Sequence, residues 1–140
     1  MTKKQTNSRR KFIKNTAALA AMPLIMNNYQ TTPKQQIIHH VFFWLKNPAS
    51  EADKEELITG LKTLKAVPQV QQLFIGMPAA TTKRDVVDNS FQVSELAYFN
   101  NIKDQEDYQV HPVHKAFVEK YSHLWERVVV YDMTVTQQEG

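Results

Sequence analysis

Residues 37–45 read Ile-Ile-His-His-Val-Phe-Phe-Trp-Leu, and this stretch decides the fold class. It is rich in β-branched and aromatic residues and has no helix cap, so it predicts a β-strand. Both faces of the strand are largely apolar, because Val41 and Phe43 alternate with Phe42 and Trp44. A strand of this kind is buried on both sides.

The rest of the chain alternates between helical and strand patterns. Ser50 and Asp53 resemble a capping box, and Pro68 ends the helix that they open. The elements predicted after the first strand are a helix at 50–68, strands at 69–77 and 91–99, a short helix at 103–108, a long helix at 112–125 and a strand at 128–135. This β-α-β-β-α-β order predicts an α+β, ferredoxin-like fold with a four-stranded antiparallel sheet.

The apolar character of the strands predicts an assembly. Two helices cover only one face of a four-stranded sheet, yet the first strand and the start of the last are apolar on both faces. A second copy of the same sheet would cover the other face. The sequence therefore predicts a two-fold homodimer whose sheets pack face to face.

The N-terminus has the pattern of an export signal. Residues 8–14 read Ser-Arg-Arg-Lys-Phe-Ile-Lys, which closely matches the twin-arginine signal, and the apolar run at 17–26 has the length of a signal-peptide core. We expect a signal peptide at 1–26, a flexible polar linker at 27–36 and one domain at 37–136. The protein is expected to engage the twin-arginine export machinery and to reach the periplasm.

Charge and composition exclude several classes of function. Six of the seventeen basic residues lie in residues 1–26, which contain no acidic residue, so signal removal leaves eleven basic against fourteen acidic residues. The basic precursor is therefore no evidence for a nucleic-acid partner, and after signal removal we expect no membrane association. The sequence contains no cysteine, which excludes disulfides, thiolate metal sites and a cysteine nucleophile.

Residues 108–114, Tyr-Gln-Val-His-Pro-Val-His, carry the candidate chemistry. His111 precedes a proline, so it should be extended or capping, and Pro112 suits the first position of a helix. His114 then lies in the first helical turn, where the helix dipole disfavours an imidazolium. A neutral imidazole at this position is suited to act as a general base.

The residues that follow predict which way His114 faces. Phe117, Val118, Tyr121 and Trp125 lie at helical spacing from it and are all apolar or aromatic. His114 is therefore expected to face inward, into a partly aromatic cavity or core. The alternative is a core histidine whose ring is satisfied by one buried acceptor.

Several motifs together carry a family resemblance. They are His39-x-Val41, the turn into the first helix at 46–57, Gly76, Asp107-Tyr108-x-x-His111-Pro112-x-His114-x-x-Phe117, and Trp125-Glu126 with residues 128–132. Over roughly residues 39–133 the chain resembles the Dabb family, the stress-responsive dimeric α/β barrel domain. The resemblance implies a dimeric α/β barrel, and the family includes plant polyketide cyclases.

The resemblance also implies a site. It implies that His114 acts as a base and that Tyr108 donates a hydrogen bond in an acid–base cyclisation. Residues expected to bind substrate are His39, Val41, Phe43, Leu57, Ile58, Leu61, His111, Phe117, Trp125 and Val128.

Two principal functions follow. The first is an exported dimeric barrel protein that binds a small organic ligand in an aromatic cavity without turnover. The alternative is a cofactor-free acid–base enzyme, cyclase-like or lyase-like, acting on a carbonyl or polyketide-like compound with His114 and Tyr108. No cofactor is expected, since no glycine-rich phosphate loop is present. A metal site formed by His39, His111 and His114 is a third possibility.

Overall fold

The computed structural model of the chain describes residues 35–138. The predicted signal peptide and most of the predicted linker lie outside this range, so the signal and the export route stay predictions. Within the described range, the helices are too short or too polar to cross a membrane.

The described residues form a four-stranded antiparallel sheet with helices on one face. The elements are β1 (Gln35–Leu45), α1 (Glu51–Thr63), a 3₁₀ turn (Leu64–Ala66), β2 (Gln72–Gly76), β3 (Val93–Phe99), α2 (Ile102–Val110), α3 (Pro112–Tyr121), a 3₁₀ turn (Ser122–Leu124) and β4 (Trp125–Thr136). The strand order is β2-β3-β1-β4. Each neighbouring pair is antiparallel, which confirms the ferredoxin-like prediction.

Local signals start the helices where the sequence predicts. The Ser50 side chain caps α1 by accepting a hydrogen bond from the Asp53 backbone N–H at 3.1 Å. The second half of the predicted capping box does not form, because the Asp53 carboxylate accepts from the Asn47 amide at 2.9 Å. His111 is extended and caps α3, with its Nδ1 accepting from the Val113 N–H at 3.1 Å, and Pro112 opens that helix.

The ends of several elements differ from the prediction. The helix predicted at 112–125 was too long, because β4 already begins at Trp125, which pairs with Leu45. The Leu124 carbonyl accepts a hydrogen bond from the Lys46 N–H at 2.9 Å, so the chain joins the sheet there instead of continuing the helix. The helix predicted at 50–68 ends earlier, at Thr63, and closes with a 3₁₀ turn.

The strands also have different bounds from those predicted. β1 and β4 are longer than residues 37–45 and 128–135, because they pair with each other along most of their length. β2 and β3 are shorter than residues 69–77 and 91–99. Gln92 precedes β3, and its side-chain oxygen accepts a hydrogen bond from the Leu45 N–H of β1 at 2.8 Å.

The two faces of the sheet differ in burial. Along β1, every second side chain from Ile37 to Leu45 faces the helices and is buried. The side chains between them lie on the other face of the sheet and are half-buried. On the face opposite the helices, β4 exposes Tyr131 and Met133, which are 58% and 42% accessible. In the single chain that second face is therefore apolar and open.

Close packing of α1 against α3 holds α3 over the sheet. A Cβ added at Gly60 would lie 2.6 Å from a ring carbon of Tyr121, so only glycine admits the ring at this distance. Tyr121 and Phe117 are buried on the inner side of α3. His114 lies in the first turn of the same helix, seven residues before Tyr121.

Candidate functional site

A cavity of about 490 Å³ is lined by residues of β1, β3, β4, α2 and α3. Its apolar lining consists of Val41, Phe43, Phe117, Val118, Trp125, Val128 and Val130. Its polar lining consists of His39, Glu95, Gln105, Gln109, His114 and Asp132. Among the described residues that line the cavity there is no lysine or arginine.

His114 lies on the cavity wall with one ring nitrogen already bound. Its Nδ1 is 3.2 Å from the Gln109 carbonyl oxygen, which can only accept, so Nδ1 carries a proton and donates. Burial lowers the pKa of His114; the hydrogen bond to Gln109 opposes this shift, and the nearby His39 adds to it. The neutral ring therefore leaves its lone pair on Nε2, as a general base requires.

His39 and Asp132 form a second polar pair in the cavity. The two residues lie opposite each other on β1 and β4, and His39 Nδ1 is 2.6 Å from Asp132 Oδ1. An ionised carboxylate accepts this hydrogen bond, which places a proton on Nδ1 of His39. His39 is only 4% exposed, whereas the Asp132 side chain is about half-exposed.

Glu95 and Tyr108 form a third pair, deeper in the protein. The Tyr108 hydroxyl donates to Glu95 Oε1 at 3.0 Å, and neither residue is more than 2% exposed. Burial raises the pKa of Glu95 to about 7, although the hydrogen bond from Tyr108 opposes the shift. The Tyr108 ring also lies 4.6 Å from the His114 ring, measured between centroids.

The cavity brings together most of the residues predicted from the sequence. Seven of them line it: His39, Val41, Phe43, His114, Phe117, Trp125 and Val128. Trp125 reaches it from β4 and not from the helix to which it was assigned.

The other five predicted residues lie away from the cavity wall. Leu57 and Leu61 are fully buried in the core on α1, and Ile58 packs against that core. The His111 ring caps α3, and its Nδ1 is occupied by the hydrogen bond of that cap. Tyr108 lies behind Glu95, so a hydrogen bond from Tyr108 to a ligand stays a prediction.

The sequence reasoning did not select six of the lining residues. They are Glu95, Gln105, Gln109, Val118, Val130 and Asp132. Glu95 carried a usable signal, because it is the charged residue on a strand face otherwise occupied by Val93, Ala97 and Phe99. Asp132 carried none, since its pairing with His39 depends on the register between the first and last strands.

Metal ligation was the third possibility raised by the histidines. His39 and His114 both line the cavity, whereas His111 does not. Across residues 35–138, no three His, Asp or Glu side chains are grouped so that they could hold a metal ion.

Known proteins resemble this chain in fold and, more distantly, in sequence. Olivetolic acid cyclase from Cannabis sativa is 25% identical over 97 residues, which cover 69% of this chain and 93% of the cyclase. The hydroxynitrile lyase of Passiflora edulis has a similar structure, with a TM-score of 0.64 and 18% identity over 77% of this chain and 100% of the lyase.

A bacterial structure is also similar. A dimeric ferredoxin-like protein of unknown function from Thermobifida fusca gives a TM-score of 0.58 at 19% identity, covering 72% of this chain and 92% of that chain. Residues 37–135 match the family described as the stress responsive A/B barrel domain, which confirms the resemblance found in the sequence. The chain belongs to the stress responsive A/B barrel domain (Dabb) family.

Proposed function

We propose that this chain is an acid–base enzyme acting on a small, uncharged carbonyl compound. The observation that carries the proposal is the hydrogen bond from His114 Nδ1 to the Gln109 carbonyl at the cavity wall. It fixes one tautomer, and the lowered pKa keeps the ring neutral, so Nε2 is prepared to accept a proton. The place of this ring in the cavity wall distinguishes it from a core histidine satisfied by the same kind of acceptor.

The lining of the cavity supports an uncharged substrate. Glu95 and Asp132 bring carboxyl groups to the wall, and the lining residues of the described chain include no lysine or arginine to pair with an anion. The aromatic rings of Phe43, Phe117 and Trp125 favour an apolar or aromatic body. The polar residues of the cavity wall suit a substrate that carries one or two oxygen atoms at the end opposite its apolar body.

The proposed chemistry begins with loss of a proton from carbon. His114 Nε2 removes a proton from the carbon beside the carbonyl, and the electron pair of the broken C–H bond forms an enolate. Such an enolate can attack a second carbonyl carbon of the same molecule and close a ring, and it is the group released when the reverse reaction breaks that bond. One of the similar proteins is named as a cyclase, which supports chemistry of this general kind.

Binding without turnover, the first reading of the sequence, is the competing function. Both functions use the same cavity, so they are separated by following proton exchange at carbon. Phenylacetone and smaller neutral ketones would be incubated with the protein in D₂O, and loss of the signals of the protons beside the carbonyl would be followed by NMR. We expect saturable, protein-dependent exchange. Binding detected by tryptophan fluorescence, with exchange no faster than in buffer for every ketone, would establish the binding protein.

We further infer that the active form is a homodimer in which a second copy covers the open face of the sheet. The exposed apolar residues of that face, including Tyr131 and Met133, support this assembly. The similar protein from Thermobifida fusca is described as dimeric, which supports it independently. A single species of twice the monomer mass in sedimentation equilibrium is expected, and a monomer at micromolar concentration would contradict it.

A further inference from the structure

Glu95 occupies an unusual place for a carboxyl group. It lies in the central part of the sheet, opposite Val41 on β1 and opposite Ile75 on β2. The residue is 2% exposed, yet it contributes to the cavity wall. Burying a carboxyl group between apolar neighbours is costly unless the group has a partner or a function.

Tyr108 supplies the partner for one carboxyl oxygen. Its hydroxyl donates to Glu95 Oε1 at 3.0 Å, and its ring is wedged between His39 and His114, at 5.8 Å and 4.6 Å between centroids. Burial, together with the charge of Glu95 and this hydrogen bond, raises the pKa of Tyr108, so the hydroxyl keeps its proton. One oxygen of Glu95 is thereby held in place.

The titratable groups that line the cavity with Glu95 or contact it come from four elements. They are His39 on β1, Asp132 on β4, Tyr108 on α2 and His114 on α3. The residues that line the cavity in the described chain include no lysine or arginine, so no permanent cation there stabilises the carboxylate. Burial accordingly raises the pKa of Glu95 to about 7, which leaves a large protonated fraction near neutral pH.

We propose that the protonated carboxyl of Glu95 is the general acid of this cavity, and that it gives its proton to the substrate oxygen while His114 removes the proton from carbon. The inference rests on the proposed function. The C–H electron pair becomes the new C=C bond, and the former C=O π pair binds the proton from Glu95. The products are the enol, a Glu95 carboxylate and a His114 imidazolium, and the reverse step restores both groups. Tyr108 is a positioning residue that orients the carboxyl.

The first test compares Glu95→Gln with the wild type in deuterium exchange of phenylacetone. The glutamine has nearly the same size, and its amide oxygen can still accept from Tyr108, but it cannot donate an acidic proton. We expect kcat to fall by about 10²-fold with little change in KM. The wild-type rate should fall on both sides of a maximum, as His114 becomes protonated at low pH and Glu95 ionises at high pH. Glu95→Gln should lose the alkaline fall, which a merely structural role would not remove.

Tyr108→Phe keeps the ring and removes the hydrogen bond, and therefore tests the positioning role. Since that hydrogen bond lowers the pKa of Glu95, the alkaline fall should move to higher pH, accompanied by a loss in rate smaller than that of Glu95→Gln. An alkaline fall that stays in place in Tyr108→Phe would overturn this part of the inference. If Glu95→Gln keeps the wild-type rate and the alkaline fall, Glu95 is not the acid, although exchange by the wild type would still support the proposed function.

Infrared difference spectroscopy tests Glu95 without relying on turnover. The wild type at about pH 6 should show the C=O stretch of a protonated carboxyl that is absent in Glu95→Gln. This band should shift when phenylacetone binds, because the acid donates to the ketone oxygen. A band that does not shift would overturn the inference even if the ketone binds. If the band shifts but no deuterium exchange occurs, Glu95 is still the hydrogen-bond donor to the ketone. In that case only the proposed function is rejected.

Discussion

His39 and Asp132 face each other across the β1–β4 pair, with His39 Nδ1 2.6 Å from Asp132 Oδ1. The carboxylate fixes the tautomer of a histidine that is buried in the wall of the cavity. The pair therefore controls both the hydrogen-bonding pattern of His39 and the charge near His114, since His39 contributes to the lowered pKa of His114.

Replacing the Asp132 carboxylate should change the hydrogen bonding of His39. In Asp132→Asn we expect the His39 ring to populate both tautomers, because the amide NH₂ group can also donate to Nδ1. Nitrogen-15 NMR of the imidazole would report the change, and exchange of phenylacetone should slow by roughly 10-fold, less than the loss expected for a direct acid–base group. Asp107→Asn is the control, because Asp107 pairs with Lys103 on the surface and does not line the cavity. An unchanged His39 tautomer in Asp132→Asn would contradict the assignment.

The raised pKa of Glu95 makes the stability of the protein depend on pH. The folded state holds the proton up to about pH 7, whereas the unfolded chain releases it near its ordinary value of 4.5. Between these values the folded state binds more protons, so the free energy of unfolding falls as pH rises, by about 3 kcal/mol for this one group. Glu95→Gln should therefore gain stability relative to the wild type as the pH rises through this window.

Urea unfolding of both proteins at about pH 5 and about pH 8 measures this difference. The comparison with the variant is needed because His114 and His40 act in the opposite sense. Their pKa values are lowered, so the stability they contribute is present above the ordinary histidine pKa and is lost as the pH falls below it. A difference between Glu95→Gln and wild type that is the same at both pH values would show that Glu95 ionises normally.

The open face of the sheet should control assembly. Tyr131→Glu introduces a charge on this face, where Tyr131 is 58% exposed in the single chain, and we expect it to convert the dimer to a monomer in sedimentation equilibrium. Val110→Glu is the matched control, because Val110 is similarly exposed, at 62%, but lies at the end of α2. If both variants remain dimeric, the dimer uses another surface.

Local sequence signals predicted much of this architecture. The β-α-β-β-α-β order and the start of α3, with His111 as the cap and Pro112 as the first helical residue, depend on neighbouring residues, and both are found in the structure. The end of α3 was not predicted, because Trp125 fits a helical pattern as well as a strand. Pairing with Leu45 decides between the two, and that contact joins residues far apart in the chain.

In the candidate site, too, neighbouring residues predict some features and contacts between distant residues decide the others. His114 was found because the spacing of Phe117 and Val118 shows which way its helix faces. The partners of the polar groups were not found: Glu95 meets Tyr108, and His39 meets Asp132, through packing and strand register that no single stretch encodes. Sequence therefore located the candidate base, whereas the structure was needed to find the carboxyl groups beside it.

The most direct test of the central claim is proton exchange by His114→Gln. Phenylacetone would be followed by NMR in D₂O, with His123→Gln as the control, because His123 is exposed and outside the cavity. We predict that His114→Gln binds the ketone with wild-type affinity by tryptophan fluorescence but exchanges its protons roughly 10²–10⁴-fold more slowly. The control should exchange at the wild-type rate. A folded His114→Gln protein that exchanges as fast as the wild type would contradict the assignment of His114 as the base.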